Sequence, residues 1–530
     1  MFKTGTATDY NDLLDQLNSY LTAKGSAFGL AYAGTGDGTL TAYGGGASSV
    51  AETFEVTATS PTSFTVVGSV SGSIGPATVG TPFAHAKIEF LLTAGGTAFV
   101  AGDKFTLATA PKWIARRKAL GARLLADAGN TGAYAVQNLV DGKNEISPQY
   151  FQATLQSAPF DIEFEFFESE TIESYQLGAF NAAYPWWMPE AWDFDYWTGS
   201  GWSTLDSVSG QTGWTDSEVR TFTVGAPVAA TRYRLHCTTL GASTIQIGMV
   251  RLRRSDGVDA AFSQTIWEAP GNDGDSEILV GVHGFERLDA DYFNWELAGF
   301  DGYLSTSLWY EQAGRHSEVY LPLWDDSIPY WFIVDGRRAI VVAKLSTQYE
   351  IAYLGFLDPY FSPDQWPYPL AIGGALVFGP SVPGWQSTDW RWSNVTNEHR
   401  ALTHSDPLTA GNTDAKWRHM RARDWSGIWL GYMGTANDGV PYPSAWAHFI
   451  WPYACGLSLL DPNLDGGYSL WPVFLNSAIP NTLGELRGIR AVTGQGVTAE
   501  TLIADGNVNW IVFHNIFRTD RDDFLAIALD

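Results

Sequence analysis

Apolar and polar positions change their spacing several times along this chain, and each change predicts a different element. Near the start Tyr10, Leu13, Leu14, Leu17, Tyr20 and Leu21 recur three and four residues apart, the spacing of one helical face. Thr8 or Asp9 offers a side-chain N-cap, and Gly25 a stop. Beyond it the period shortens to two. Residues 53–57, 63–67 and 104–107 alternate between Gly and Pro breaks, as half-buried strands do. This predicts a small α+β unit over residues 1–110. A basic run follows at 112–118, with Lys112, Arg116, Arg117 and Lys118 around Trp113. It reads as a solvated linker or domain edge.

Short alternating strands continue through the middle. Residues 160–166 alternate Phe, Ile, Phe and Phe with Asp and Glu, and residues 231–235 and 245–252 close the segment. Strands of this length separated by glycine turns predict a β-sandwich over residues 111–255. Residues 256–530 are β-rich as well. Their clearest feature is the run 330–345, two apolar strands about Asp335-Gly336, a hairpin signal. The fold class expected is therefore mainly β and multidomain: a small N-terminal α+β domain, a central jelly-roll β-sandwich and a larger C-terminal β-rich domain. No fixed repeat is visible, which speaks against a solenoid or propeller.

The order of pieces in the middle carries a resemblance. Asn138-Leu139-Val140-Asp141-Gly142, the strand 160–166, the hairpin closed by Trp202, the strand Thr231-Arg232-Tyr233-Arg234-Leu235 and the last apolar strand resemble a discoidin-type domain. That resemblance implies a non-catalytic binding module, often for glycans, whose loops at one end hold the ligand and whose hairpin tryptophan, here Trp202, lies in the core. It also implies a calcium-binding role for Asp141. Lys143 and Asn144 follow that residue, however, leaving the loop short of carboxylates.

The outer regions resemble structural proteins of tailed-bacteriophage virions. The resemblance rests on residues 4–10 leading into the helix, on 349–360 and 365–370, and on the ending 513–520. It implies a place in the tail, tail tip or baseplate periphery of a virion assembled in the host cytoplasm. The implied partners are other tail or baseplate proteins, and the implied state is a homo-oligomer, a trimer favoured. The N-terminal unit would then dock to the particle.

Composition narrows the chemistry. The 530 residues hold 57 acids against 31 basic residues, a net charge of −26, with 23 Trp, 23 Tyr and 29 Phe. So many aromatics exclude a disordered chain, and so few basic residues exclude sequence-independent nucleic-acid binding. No apolar run reaches the ~18 residues of a membrane span, so no membrane insertion is expected. The start shows no signal-peptide pattern. Two cysteines, Cys237 and Cys455, are too few for a disulfide scaffold and read as buried thiols.

The richest binding candidate is the stretch 184–193. Indole and phenol faces stack on the C–H face of a pyranose while carboxylates bond its hydroxyls, which nominates Trp186, Trp187, Glu190, Trp192 and Asp193. In an extended chain Trp186 and Trp187 point to opposite sides, so one of them is expected outside the core. The aromatic–basic stretch 416–425 nominates Trp417, Arg418, Arg421, Arg423 and Trp425 as a subunit interface. Acids also stand near aromatics at Glu311, Asp325, Asp326, Asp358 and Asp364. No pattern pairs any two of them as glycoside hydrolysis requires, so no catalytic residue is nominated. The nine histidines are scattered without a metal motif, so no metal or other cofactor is expected apart from the calcium named above. The function expected is noncovalent assembly with binding of host-surface glycan. The rivals are a tail-spike depolymerase or esterase, and a ligand-free collar or decoration protein.

Overall fold

The structure is a computed structural model that describes residues 1–127, 136–140, 150–154, 158–180, 184–274, 277–287, 292–360, 369–374, 418–423, 429–433, 449–451, 466–476, 482–505, 508–514 and 524–529. It is mainly β, built from antiparallel sheets over several hydrophobic cores, with a single α-helix among the described residues.

The helix spans Tyr10–Ala23. Asp9 caps it, with Oδ1 accepting from the backbone N–H of Asn11 and of Asp12 at 2.8 Å each. Gly25 does stand past its end, but for close packing. A Cβ there would lie 2.2 Å from the Ala110 carbonyl oxygen.

The expected 1–110 unit is divided. The strand Phe2–Ala7 pairs with Ile328–Val334, from Phe2 opposite Ile333 to Ala7 opposite Ile328. The helix buries Tyr10, Leu13, Leu14, Leu17 and Leu21 in one core with Trp267, Trp295, Phe332 and Val341. Trp267 Nε1 donates to Asn18 Oδ1 at 3.0 Å, and Trp295 Nε1 to the Tyr10 carbonyl at 3.2 Å. Residues 26–110 alone form a separate β-sandwich of a five-stranded and a three-stranded sheet. Its core centres on Phe54, Phe64, Phe90, Phe99 and Phe105.

The basic run is not a linker. Ile114–Ala119 is a strand paired with Gln264–Ala269, opening a five-stranded sheet continued by Ile278–Arg287, Tyr292–Gly299 and His316–Leu323. Trp113 is buried and donates to the Asp335 carbonyl at 3.0 Å. Arg117 is buried too, its Nη1 donating to Gln264 Oε1 and its Nη2 to the carbonyls of Ser305 and Ser307.

The central sandwich sets a five-stranded sheet, Ala122–Ala126, Phe160–Thr171, Ala229–Leu240, Pro189–Trp197 and Trp202–Val208, against two smaller ones. The three-stranded one is Val219–Thr223, Ser174–Gly178 and Met249–Arg253, and the two-stranded one is Phe151–Thr154 with Thr244–Ile247. Phe160, Ile162, Phe164 and Phe166 point inward from one strand, as the alternation predicts, and meet Tyr175, Phe194, Tyr233 and Leu235. Each such side chain contributes ~1.5–3 kcal/mol by leaving water.

The C-terminal part is one long sheet that folds over itself. The hairpin Ile328–Val334 and Arg338–Leu345 turns at Asp335. The Asp335 carboxylate accepts from the backbone N–H of Arg337 and Arg338 and from Arg487 Nε at 2.8 Å. Burial pushes Asp335 up, but Arg338 and Arg487 outweigh it and hold the group at about 2. One face of strands 328–372 packs on the helix layer. The other meets strands 482–528, with Phe513 against Trp331 at 5.1 Å and Tyr349 at 5.3 Å between ring centroids.

Candidate functional site

The stretch singled out by its tryptophans leads into the sandwich strand Pro189–Trp197. It is not extended. Pro185–Trp187 forms a 3₁₀ turn with proline at its first position, where the missing N–H costs nothing. The turn gathers three rings. Tyr184 stacks on Trp187 at 4.2 Å with 14° between planes, and meets Trp186 edge-on at 5.9 Å. Trp186 is 53% exposed and Tyr184 43%, while Trp187 is half-buried. Met188, buried just beyond, anchors the turn to the core.

Gly241, in the turn after Ala229–Leu240, fixes the loop from the other side. A Cβ at that position would lie 2.3 Å from the Trp186 carbonyl oxygen and 3.2 Å from Glu190 Oε1. Glycine therefore allows the backbone of the aromatic turn to approach, and the same geometry places the Glu190 carboxylate beside it. Glu190 is half-buried, and its carbonyl accepts from the Gln211 N–H at 2.9 Å. Exposed ring faces with an adjacent carboxylate can stack on a sugar and bond its hydroxyls.

Two of the five nominated residues do not belong to this surface. Trp192 is 1% exposed, its Nε1 donating to the Tyr175 hydroxyl at 2.9 Å and its ring edge-on to Phe222 at 5.0 Å. It is core, because it sits at an inward position of its strand. Asp193 faces outward but lies four residues along from Pro189, ~13 Å at the rise of a strand. There it accepts from Ser207 Oγ at 2.6 Å. Tyr184, which was not nominated, does belong. Its signal was present in the sequence as a phenol one proline away from paired indoles.

Trp202 is also misplaced by the sequence reading, being half-buried rather than core. It stands opposite Trp197 across the turn 198–201 and points to the outer face of the five-stranded sheet. There the rings meet edge-on at 5.3 Å, and the guanidinium of Arg232 lies 5.3 Å and that of Arg234 4.6 Å from the Trp202 centroid. Glu163 pairs with Arg232, and Asp161 and Asp195 pair with Arg234, at 2.7–2.9 Å. His236 joins Asp161 at 2.5 Å.

Of the nominated interface, Arg418–Arg423 is a strand inside the long sheet, between Leu370–Gly373 and Trp429–Met433. Met420 and Ala422 are buried, and Arg423 Nη1 pairs with Asp301 Oδ1 at 2.8 Å within the chain. Trp417 and Trp425, and the side chains of Arg418 and Arg421, lie outside the described residues, as does Asp141. Among the described residues no group of three or more His, Cys, Asp or Glu could hold a metal ion, and no helix is long and apolar enough to cross a membrane.

The described acids near aromatics have local duties. Glu311 Oε2 accepts from the Leu308 N–H, Asp326 Oδ1 from the Ser327 N–H, Asp325 pairs with Arg123 and Asp358 with Arg487. Asp364 and Cys455 lie outside the described residues. Cys237 is buried, which pushes its thiol up to about 12.

No protein-family model matches this chain, and no curated protein matches it. Solved structures similar to part of it include carbohydrate-binding modules and, over 24% of this chain and 27% of that one at 17% identity and a TM-score of 0.21, a putative alpha-L-fucosidase from Bacteroides thetaiotaomicron. One is a family 32 module of NanJ from C. perfringens in complex with galactose, 10% identical, covering 24% of this chain and 90% of that one at a TM-score of 0.21. Another, CpGH89CBM32-5 from Clostridium perfringens in complex with GalNAc-beta-1,3-galactose, is 12% identical over 24% of this chain and 92% of its own, TM-score 0.21. The family 32 module of EndoD from Streptococcus pneumoniae is 14% identical over 25% and 94%, TM-score 0.22. Likenesses at these scores decide nothing about a ligand.

Proposed function

We propose that this chain binds a surface glycan through the Tyr184–Trp187 turn, without breaking a covalent bond, as a peripheral component of a tailed-phage virion. The observation that carries the binding is the pair of exposed rings, Tyr184 and Trp186, held by a proline turn and the Gly241 contact beside the Glu190 carboxylate. Large rings left in water at a fixed geometry bind at little entropic cost, because they are ordered beforehand. The net charge of −26 makes the favoured ligand neutral or amino-bearing rather than anionic, and contact by stacking depends little on salt.

The place in the particle is supported by the resemblance of residues 349–360 and 513–520 to virion proteins. Assembly as a homo-oligomer, a trimer favoured, with tail or baseplate partners belongs to the same reading, as does location in the virion. A glycan array probed with the full chain tests the binding. Retention of defined sugars, lost in Trp186→Ala while the circular dichroism spectrum is unchanged, is the expected result. Retention by both proteins alike refutes the site, and retention of no sugar by either favours a ligand-free structural role.

A further inference from the structure

A large cleft opens where the end of the helix Tyr10–Ala23, the opening strand, the 26–110 sandwich and the last strands of the long sheet converge. It holds about 600 Å³, within the ~300–1,000 Å³ of small-ligand sites. Its polar side chains are Tyr20, Lys24, Thr41, Tyr43, Glu89 and Asn509, and Phe2, Leu30 and Leu529 are among its apolar walls. The sandwich wall is distorted. Between Thr41 opposite Leu91 and Gly44 opposite Glu89 the strand Thr39–Gly45 carries one extra residue, a β-bulge, and Ala42 stands there at φ 49°. A left-handed alanine is uncommon, and such backbone concentrates at ligand sites. Both bulged residues, Ala42 and Tyr43, line the cleft.

Phe2 is 39% exposed, and among the described residues no ring or cation lies against it. Tyr20 differs, with Lys3 Nζ 5.8 Å over its ring and Phe332 6.1 Å away. Phe2 therefore offers an uncovered ring, and Tyr20 its hydroxyl. Burial and the Glu89 charge raise the Tyr20 phenol, so it stays protonated and can donate. Lys24 Nζ donates to both Glu89 oxygens, at 2.7 and 2.6 Å, with the two side chains 48% and 35% exposed. The pair cancels its own charge. The Met1 amino group, the remaining charge among the lining residues, donates to the Val334 carbonyl at 2.6 Å.

An ionic ligand finds no unpaired side-chain charge here. A wholly apolar one would strip water from the Lys24–Glu89 pair, Thr41 and Asn509 without replacing its hydrogen bonds. A neutral sugar suits both features, because its C–H face stacks on a ring and its hydroxyls donate and accept alike. We propose that this cleft binds a short neutral oligosaccharide. One pyranose stacks on Phe2, and the hydroxyls bond the Lys24–Glu89 pair, Thr41 Oγ1 and the Asn509 amide. The site stands on other elements than the aromatic turn and does not rest on binding there.

The test applies saturation-transfer NMR to the full chain carrying Trp186→Ala, which disables the aromatic turn. Maltotriose, cellotriose and N-acetylchitotriose are the probes, with trigalacturonate and hexanol as ionic and apolar competitors. Saturable binding of at least one neutral trisaccharide, displaced by neither competitor, is expected. Adding Phe2→Ala should weaken it about tenfold. Glu89→Gln leaves Lys24 unpaired and should shift selection toward trigalacturonate, an effect that a merely structural role would not give. If Phe2→Ala alters the circular dichroism spectrum, that shift decides. Binding of no neutral trisaccharide, displacement by either competitor, or binding indifferent to both Phe2→Ala and Glu89→Gln overturns the proposal. Retention on the glycan array that survives Trp186→Ala but not Phe2→Ala supports the cleft and refutes the turn.

Discussion

Two pairs of tryptophans in the same sandwich meet opposite fates. Trp197 and Trp202 stand on the outer face of a sheet, but Arg232 and Arg234 cover their rings and are themselves neutralised by Glu163, Asp161 and Asp195. Trp186 and Trp187 sit on a turn, and among the described residues only Tyr184 makes a ring contact with them. The first pair has spent its π-faces inside the chain, whereas the second leaves an indole available. An aromatic residue is therefore a binding candidate only after its cationic neighbours have been accounted for.

The sharpest break in this comparison comes from a fifth tryptophan, Trp192, which shares a strand with Trp197. Because it is core, Trp192→Ala should destabilise the sandwich by ~3–5 kcal/mol, measured by urea denaturation. A loss under ~1 kcal/mol would return it to the surface and reopen its role in binding.

The next effect separates the sandwich from the layered C-terminal core. Glu350 is fully buried, neither carboxylate oxygen has a hydrogen-bond partner, and burial raises it to about 8. A carboxyl raised on folding binds its proton more tightly in the native state. Its stabilising contribution is thus complete below the unfolded value of 4.5 and is lost as pH rises through about 8. The slope approaches about 1.4 kcal/mol per pH unit. Glu350→Gln should flatten this loss between pH 4.5 and about 8 in a pH series of denaturation curves. An unchanged slope would mean that Glu350 is not the group responsible.

The smallest effect concerns the covered pair. A double-mutant cycle of Trp202→Ala and Arg234→Ala should return a coupling of ~0.5–1 kcal/mol, with no change in glycan retention. Loss of retention in Trp202→Ala would move the site to the sheet face and erase the contrast drawn above.

Periodicity made much of this fold legible. The helix from Tyr10, the strand through Phe160–Phe166 and the hairpin at Asp335-Gly336 all follow local patterns. What stayed hidden were contacts between distant segments. The pairing of Phe2 with Ile333 leaves no mark near either residue, so the opening strand and helix read as part of a separate unit. Residues 114–119 look solvated because Arg116, Arg117 and Lys118 dominate the pattern, yet Arg117 is buried on carbonyl oxygens supplied by residues 305 and 307. The candidate site was half legible. Paired indoles beside proline gave its location, but Pro185 folded the chain into a turn, and only that turn decides that Tyr184 joins Trp186 while Trp192 points inward.

The most direct test of the central claim is quenching of indole fluorescence in the presence of a glycan retained on the array. Saturating glycan should protect one exposed indole from acrylamide, the protection should vanish in Trp186→Ala, and the glycan should be recovered with its chain length unchanged. Undiminished quenching at saturation, or recovery of shortened chains, would contradict a noncovalent platform at Trp186.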